Sequence, residues 1–227
     1  GAGGSLVHGQ VRALLMRFLY VDPVPSRGYG GTQSADSPAN PVTFSAMSFG
    51  AAGHRHVVVA ISYLSTSAIS AVTIGGVSAS QVVAVANGSI RSELWIAFVA
   101  SETSGNVVVS GHDGAASARA MAVSIYSLYD IKPTPTGSGS DTTSTYDISL
   151  TESAAGVAIG CFGSLVNGAT STWTNLTEDV DGSIVILGTD FHYTMASADQ
   201  LAAGTPTVSV TPSVAGTAAF VAAAWGT

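Results

Sequence analysis

The chain has 227 residues, of which 46% are hydrophobic and 9% charged, and a formal net charge of −7. The one lysine, Lys132, and the scattered arginines form no basic stripe able to neutralise a phosphate backbone, which argues against a nucleic-acid partner. No apolar run reaches the roughly 20 residues that a membrane-spanning helix needs, and so few charges leave a Ser/Thr/Gly surface around a chain long enough to bury one sizeable core.

From Leu6 to Tyr20 the apolar residues Val7, Val11, Leu14, Leu15, Phe18 and Leu19 recur at spacings of three and four, which predicts a short amphipathic helix. Asp22-Pro23 and Pro25 stop it. Such a helix either folds back on the body or docks onto another subunit; in the second case Val11, Leu14, Leu15, Phe18 and Leu19 form the anchoring face. Ser26 to Pro41, with Gly28, Gly30, Gly31, Pro38 and Pro41, has a loop composition and reads as a linker or an arm lying on a surface. Residues 1–41 are thus expected to be helix and arm. Gly28-Tyr29-Gly30-Gly31 lacks the lysine and the strand-to-helix setting of a nucleotide site.

Beyond Pro41 the period changes to two. Val42 to Phe49 alternates apolar with small polar residues, and further strands are predicted near 56–64, 70–75, 79–86, 91–99, 106–110 and 118–128. Lys132 to Thr145, with Pro133, Pro135 and Gly137-Ser138-Gly139-Ser140, reads as a connector. A second set of strands follows near 145–151, 155–163, 170–174, 183–187, 190–197, 206–211 and 217–225.

The two sets echo each other. His54 to Tyr63 returns as Gly156 to Phe162, Ser92 to Phe98 as Asp190 to Met195, and Arg119 to Tyr126 as Thr217 to Trp225, a near-constant offset that reads as an internal duplication. The runs at Ala120 to Tyr126 and Ala218 to Trp225 are apolar at both parities, as in strands covered on both faces. The fold class expected is all-β: an Ig-like or jelly-roll-type sandwich over 42–227, its halves 42–131 and 142–227 packed together rather than strung as two independent domains.

Few residues suggest chemistry. His54 and His56, two apart on a strand, share a face and supply two metal ligands, but the third is missing locally, with His112 and His192 distant in sequence. Asp179-Val180-Asp181-Gly182 after Glu178 is a fragment of a calcium loop and reads as a turn. Glu93, Glu102, Glu152 and Glu178 are available for paired-carboxylate work, though solitary strand glutamates ordinarily face solvent. No Gly-x-Ser-x-Gly elbow occurs, and no spacing arranges a His and an Asp about a Ser. Cys161 reads as a small buried hydrophobe. No metal or other cofactor is called for, and the expectation is a protein that is not an enzyme.

Trp95, Trp173, Trp225, Tyr63, Tyr126 and Tyr193 are candidates for a sugar-stacking platform. Trp95 and Trp225 lie in the repeated apolar runs and are expected in the core, in equivalent places in the two halves. Trp173, between Thr172 and Thr174, is left with Asn175 as the candidate ligand-binding pair. Asn87-Gly88-Ser89 and Asn175-Leu176-Thr177 match the glycosylation sequon.

The order Thr43-Phe44 to Phe49, Val57 to Ile61, Val72 to Val77, Ser92 to Ala97, Ser104 to Val109 and Trp173 to Asp179 resembles structural proteins of tailed phages and phage-like particles of alphaproteobacteria. The likeness spans most of residues 42–227. It implies a virion fibre, head-spike or decoration role on a particle surface, with other capsid proteins as partners. It supplies no catalytic motif. Symmetric assembly would favour a homo-oligomer, a trimer being the candidate copy number. A glycan-binding host-adhesion module is the alternative.

Overall fold

The computed structural model describes residues 24–113, 119–151 and 156–226. The helix expected over Leu6 to Tyr20, and with it the anchoring face of Val11, Leu14, Leu15, Phe18 and Leu19, lies outside the described residues, as does Glu152. What is described is all strand and turn. The first half contains β1 (Ser26–Asp36), β2 (Val42–Ser48), β3 (Arg55–Leu64), β4 (Ala71–Ile74), β5 (Val77–Ser78), β6 (Ser80–Asn87), β7 (Ile90–Phe98), β8 (Ser104–Ser110) and β9 (Ala120–Tyr129). The second contains β10 (Gly137–Asp141), β11 (Asp147–Ser149), β12 (Gly156–Leu165), β13 (Ser171–Thr174), β14 (Thr177–Ile186), β15 (Thr189–Leu201), β16 (Thr207–Pro212) and β17 (Ala218–Trp225).

Each half is two antiparallel sheets. A five-stranded sheet, order β1-β9-β3-β7-β6, faces a four-stranded one, β2-β8-β4-β5. In the second half β10-β17-β12-β15-β14 faces the three-stranded β11-β16-β13. The two five-stranded orders match strand for strand, and the three echoed runs of the sequence occupy corresponding strands: β3 with β12, β7 with β15, β9 with β17.

The alternation of side chains explains the layering. On β3, Val57, Val59, Ile61 and Tyr63 face the four-stranded sheet, while Val58, Ala60 and Leu64 face the other way. On β17, Ala218, Phe220, Ala222 and Ala224 face the three-stranded sheet, and Ala219, Val221, Ala223 and Trp225 point away from it. These outward sets meet. Val58, Leu94, Ile96 and Tyr126 of one half join Val157, Ile159, Cys161, Met195 and Trp225 of the other in a single apolar cluster, so the two five-stranded sheets pack face to face. The order of layers is four-, five-, five-, three-stranded. Hence the central strands are apolar at both parities, and each large seam side chain contributes on the order of 1.5–3 kcal/mol by leaving water. The small alanines of β17 let the sheets approach closely.

Polar groups also cross the seam. Ser92 Oγ donates to the Ala219 carbonyl at 2.9 Å and Asn87 Nδ2 to that of Ala218 at 3.1 Å. Arg27 on β1 reaches the second half, its backbone N–H donating to Asp199 Oδ1 at 2.9 Å and its guanidinium lying 3.8 Å from Asp179 Oδ1.

Two readings of the sequence are corrected. Ser26 to Asp36 is neither a linker nor a loop-like arm: it is β1, an edge strand paired along β9 from Ser26–Tyr129 to Asp36–Ala120. The supposed connector holds β10, paired with β17 from Gly137–Ala224 to Asp141–Phe220. Both strands carry glycine where the smaller sheet crowds them. A Cβ on Gly30 would run into the Ser48 carbonyl, one on Gly137 would lie 2.5 Å from the Thr151 nitrogen, and one on Gly139 would lie 2.6 Å from Ile148 Cγ2.

Candidate functional site

Near one end of the seam, β3 and β7 run alongside the segment that links the halves. His56 pairs with Phe98 and Val58 with Ile96, so His56, Phe98 and Ile96 share the seam face, and Ser80 on β6 pairs with Ile96. Pro133 and Thr134 of the linking segment help to enclose a cleft of about 360 Å³, to which Ala97 and Ser78 contribute as well. Phe98 is 45% exposed, a large apolar ring left open. His54 and His56 both lean on it, with ring centroids 5.1 and 5.3 Å away. Burial, and then the neighbouring His54, lower the pKa of His56, so its imidazole is neutral at neutral pH.

The histidine pair predicted from the sequence is therefore adjacent in space, with its rings edge to face at 6.3 Å. Its partner is an aromatic ring: among the described residues no group of three or more His, Cys, Asp or Glu side chains gathers around a metal position.

Trp173 and Asn175 fall elsewhere. Trp173 on β13 is half-buried, its Nε1 donating to Thr194 Oγ1 at 2.9 Å and its ring meeting Phe220 edge to face at 5.7 Å. It packs over Gly160, where a Cβ would lie 2.6 Å from the indole. Much of the indole is thus taken up by the second half's core. Asn175 sits in a left-handed turn and donates to the Thr207 carbonyl at 2.7 Å. Trp95 and Trp225 are both buried but not equivalent: Trp95, on β7, faces the four-stranded sheet, whereas Trp225, at the end of β17, faces the seam.

No protein-family model matches this chain, and no curated protein does. The side chains must therefore speak for themselves.

Glu93 does not face solvent as solitary strand glutamates do. It is buried on β7 and accepts from the Tyr63 hydroxyl, from Trp95 Nε1 at 2.7 Å and from Gln81 Nε2 at 2.9 Å. Three converging donors make up for lost water. Burial, with Glu93 beside it, pushes the Tyr63 hydroxyl well above its ordinary pKa.

Folding also assembles what no sequence spacing announced, a Ser164–His192–Asp181 chain. His192 Nε2 lies 2.6 Å from Asp181 Oδ1 and Nδ1 3.4 Å from Ser164 Oγ, while Asp181 Oδ2 accepts from the Ser171 N–H at 2.8 Å. Ser164 is 1% exposed and His192 0%, so the hydroxyl offers no approach to a substrate, and the chain ties β12, β14 and β15 together. The calcium-loop fragment Asp179-Val180-Asp181-Gly182 is part of β14 and not a turn. Its carboxylates are spent on Arg27, Ser197 and His192. Phe98 escaped the sequence reading because its companion His56 lies far off in the chain, and only the β3–β7 register sets them side by side. An aromatic that ends an apolar strand run was the one available signal.

Among the described residues no helix is long and apolar enough to cross a membrane.

Proposed function

We propose that this chain is a non-enzymatic structural protein of a phage or phage-like particle, a capsid decoration, head spike or fibre component displayed on the virion surface. The observation that carries the reading is the seam. Four stacked sheets whose inner two are joined by one continuous apolar cluster, with charged groups scarce, suit a stiff body that is displayed rather than one that must open and close. We read the two halves as an internal duplication of one jelly-roll-type unit, since β1-β9-β3-β7 over β2-β8-β4-β5 follows the order in which two Greek keys fold, and the second half repeats it without a partner for β5. The amphipathic run Val11, Leu14, Leu15, Phe18 and Leu19 is the proposed anchor to another virion protein, and assembly about a symmetry axis makes a homo-oligomer, with a trimer the first candidate.

Purified particles from the producing cells test this reading. Mass spectrometry and antibody labelling should find the chain at a fixed stoichiometry on the particle surface; a chain that sediments wholly apart from particles overturns it. The second reading, a glycan-binding adhesion module, is favoured by the open Phe98 ring beside hydroxyl-bearing side chains.

A further inference from the structure

We propose that the cleft between Phe98, His56 and the linking segment is a carbohydrate-binding site that takes one neutral pyranose unit. The site does not rest on the display reading: particle fractionation tests that one, and sugar titration tests this one.

The chemistry of the cleft selects the ligand. Its volume of about 360 Å³ falls in the low part of the range of small-molecule sites, roughly 300–1,000 Å³, and suits a single ring better than a long chain. A pyranose has an apolar face of C–H groups and an equatorial belt of hydroxyls. Phe98 offers the complementary apolar face, held in place by the two histidine rings. The belt meets Ser78, Ser80 and Thr134, each both donor and acceptor, and the His56 imidazole, which in its neutral form also presents one donor and one acceptor. A wholly apolar ligand would strand these groups; an acidic one would find no lysine or arginine among the residues lining the cleft. Both walls are tied to the rigid body. Lys132 N–H donates to the Gly226 carbonyl at 3.2 Å and Thr136 N–H to that of Ala224 at 2.8 Å, fixing the linking segment on either side of Pro133 and Thr134.

The test uses the full chain and the methyl glycosides of glucose, galactose, mannose and N-acetylglucosamine, with methyl glucuronide as the acidic counterpart and N-acetylphenylalaninamide as an aromatic peptide surrogate. Saturable chemical-shift changes at the Phe98 ring and the His56 Hε1 with at least one neutral glycoside are expected. Phe98→Ala should weaken that binding at least tenfold, while Tyr29→Ala, which removes an exposed aromatic that does not line the cleft, should leave it unchanged. If Phe98→Ala misfolds by circular dichroism, the wild-type shift map and Ser80→Val take its place, and Ser80→Val should weaken binding as well. No response to any neutral glycoside, a preference for the glucuronide or the peptide surrogate, or binding that survives Phe98→Ala would each overturn the assignment.

Discussion

Gly163 of the second half and Ser62 of the first face each other across the seam so closely that a Cβ on the glycine would collide with the serine hydroxyl, though it would meet Ser62 Cβ at an ordinary 3.4 Å. Gly163→Ala should therefore cost about 1–3 kcal/mol through overpacking. Ser62 Oγ is buried without a hydrogen-bond partner, so Ser62→Ala alone should be neutral or mildly stabilising. Combining the two should restore most of the loss. Urea midpoints of the four proteins give the coupling, and simple additivity would show that the halves do not press together here.

The fold was legible where burial decides the residue. β3, β9, β12 and β17 are apolar at both parities because each is covered on both faces, and that pattern is visible in one dimension. β1 and β10 were not, because an edge strand under close approach of a second sheet replaces its inward side chains with glycine, and composition then imitates a loop. The candidate site was half legible: the nearness of His54 and His56 was, although His54 lies in the bend before β3 and not on the strand with His56, whereas their meeting with Phe98 depends on register. Trp173 was legible in part: its flanking threonines are exposed as the sequence suggests, while its own ring packs over Gly160.

Arg55 is fully buried at the start of β3, and its guanidinium donates to the carbonyls of Gly50, at 3.1 Å, and of Ala51 and Glu102. Arg55→Met would leave three acceptors unpaired and should destabilise by about 3 kcal/mol. Arg55→Lys should recover only part of this, since a point ammonium cannot span the three positions of a planar fork. Equal stability of all three proteins by thermal unfolding would refute the role.

Asp113 accepts from the Thr66 N–H at 2.7 Å, the Thr66 hydroxyl at 2.6 Å and the Ser67 N–H at 2.6 Å, and pairs with Arg119 at 2.6 Å. Burial alone would raise its pKa, but the hydrogen bonds from Ser67 and Thr66 outweigh it and hold the carboxyl far below the ordinary range. Because the folded pKa is depressed, the stabilisation is complete above the unfolded value of about 3.9 and drains away as pH falls through it toward the folded one. Asp113→Asn should be less stable than wild type at neutral pH and lose less between about pH 5 and pH 2. Parallel acid profiles for the two would count against this.

Trp173→Ala should act on stability, at about 3 kcal/mol, through the lost contact with Phe220 and the lost indole N–H donation to Thr194, whose hydroxyl keeps its own bond to the Val180 carbonyl. Trp173→Phe should cost roughly 1 kcal/mol, the share of the indole N–H. Glycoside affinity measured on Trp173→Phe should equal that of wild type; a loss there would return the ligand site to β13.

Display as a stiff body requires that the two halves unfold as one, and two tryptophans report on it separately. Trp95 sits in the core between the first half's sheets, and Trp173 packs against the core of the second. With the other tryptophans replaced by phenylalanine, each single-tryptophan protein can be followed through equilibrium urea unfolding by fluorescence and by far-ultraviolet circular dichroism. The seam predicts superimposable transitions for both reporters and both signals. Two separated transitions, one for each half, would contradict it.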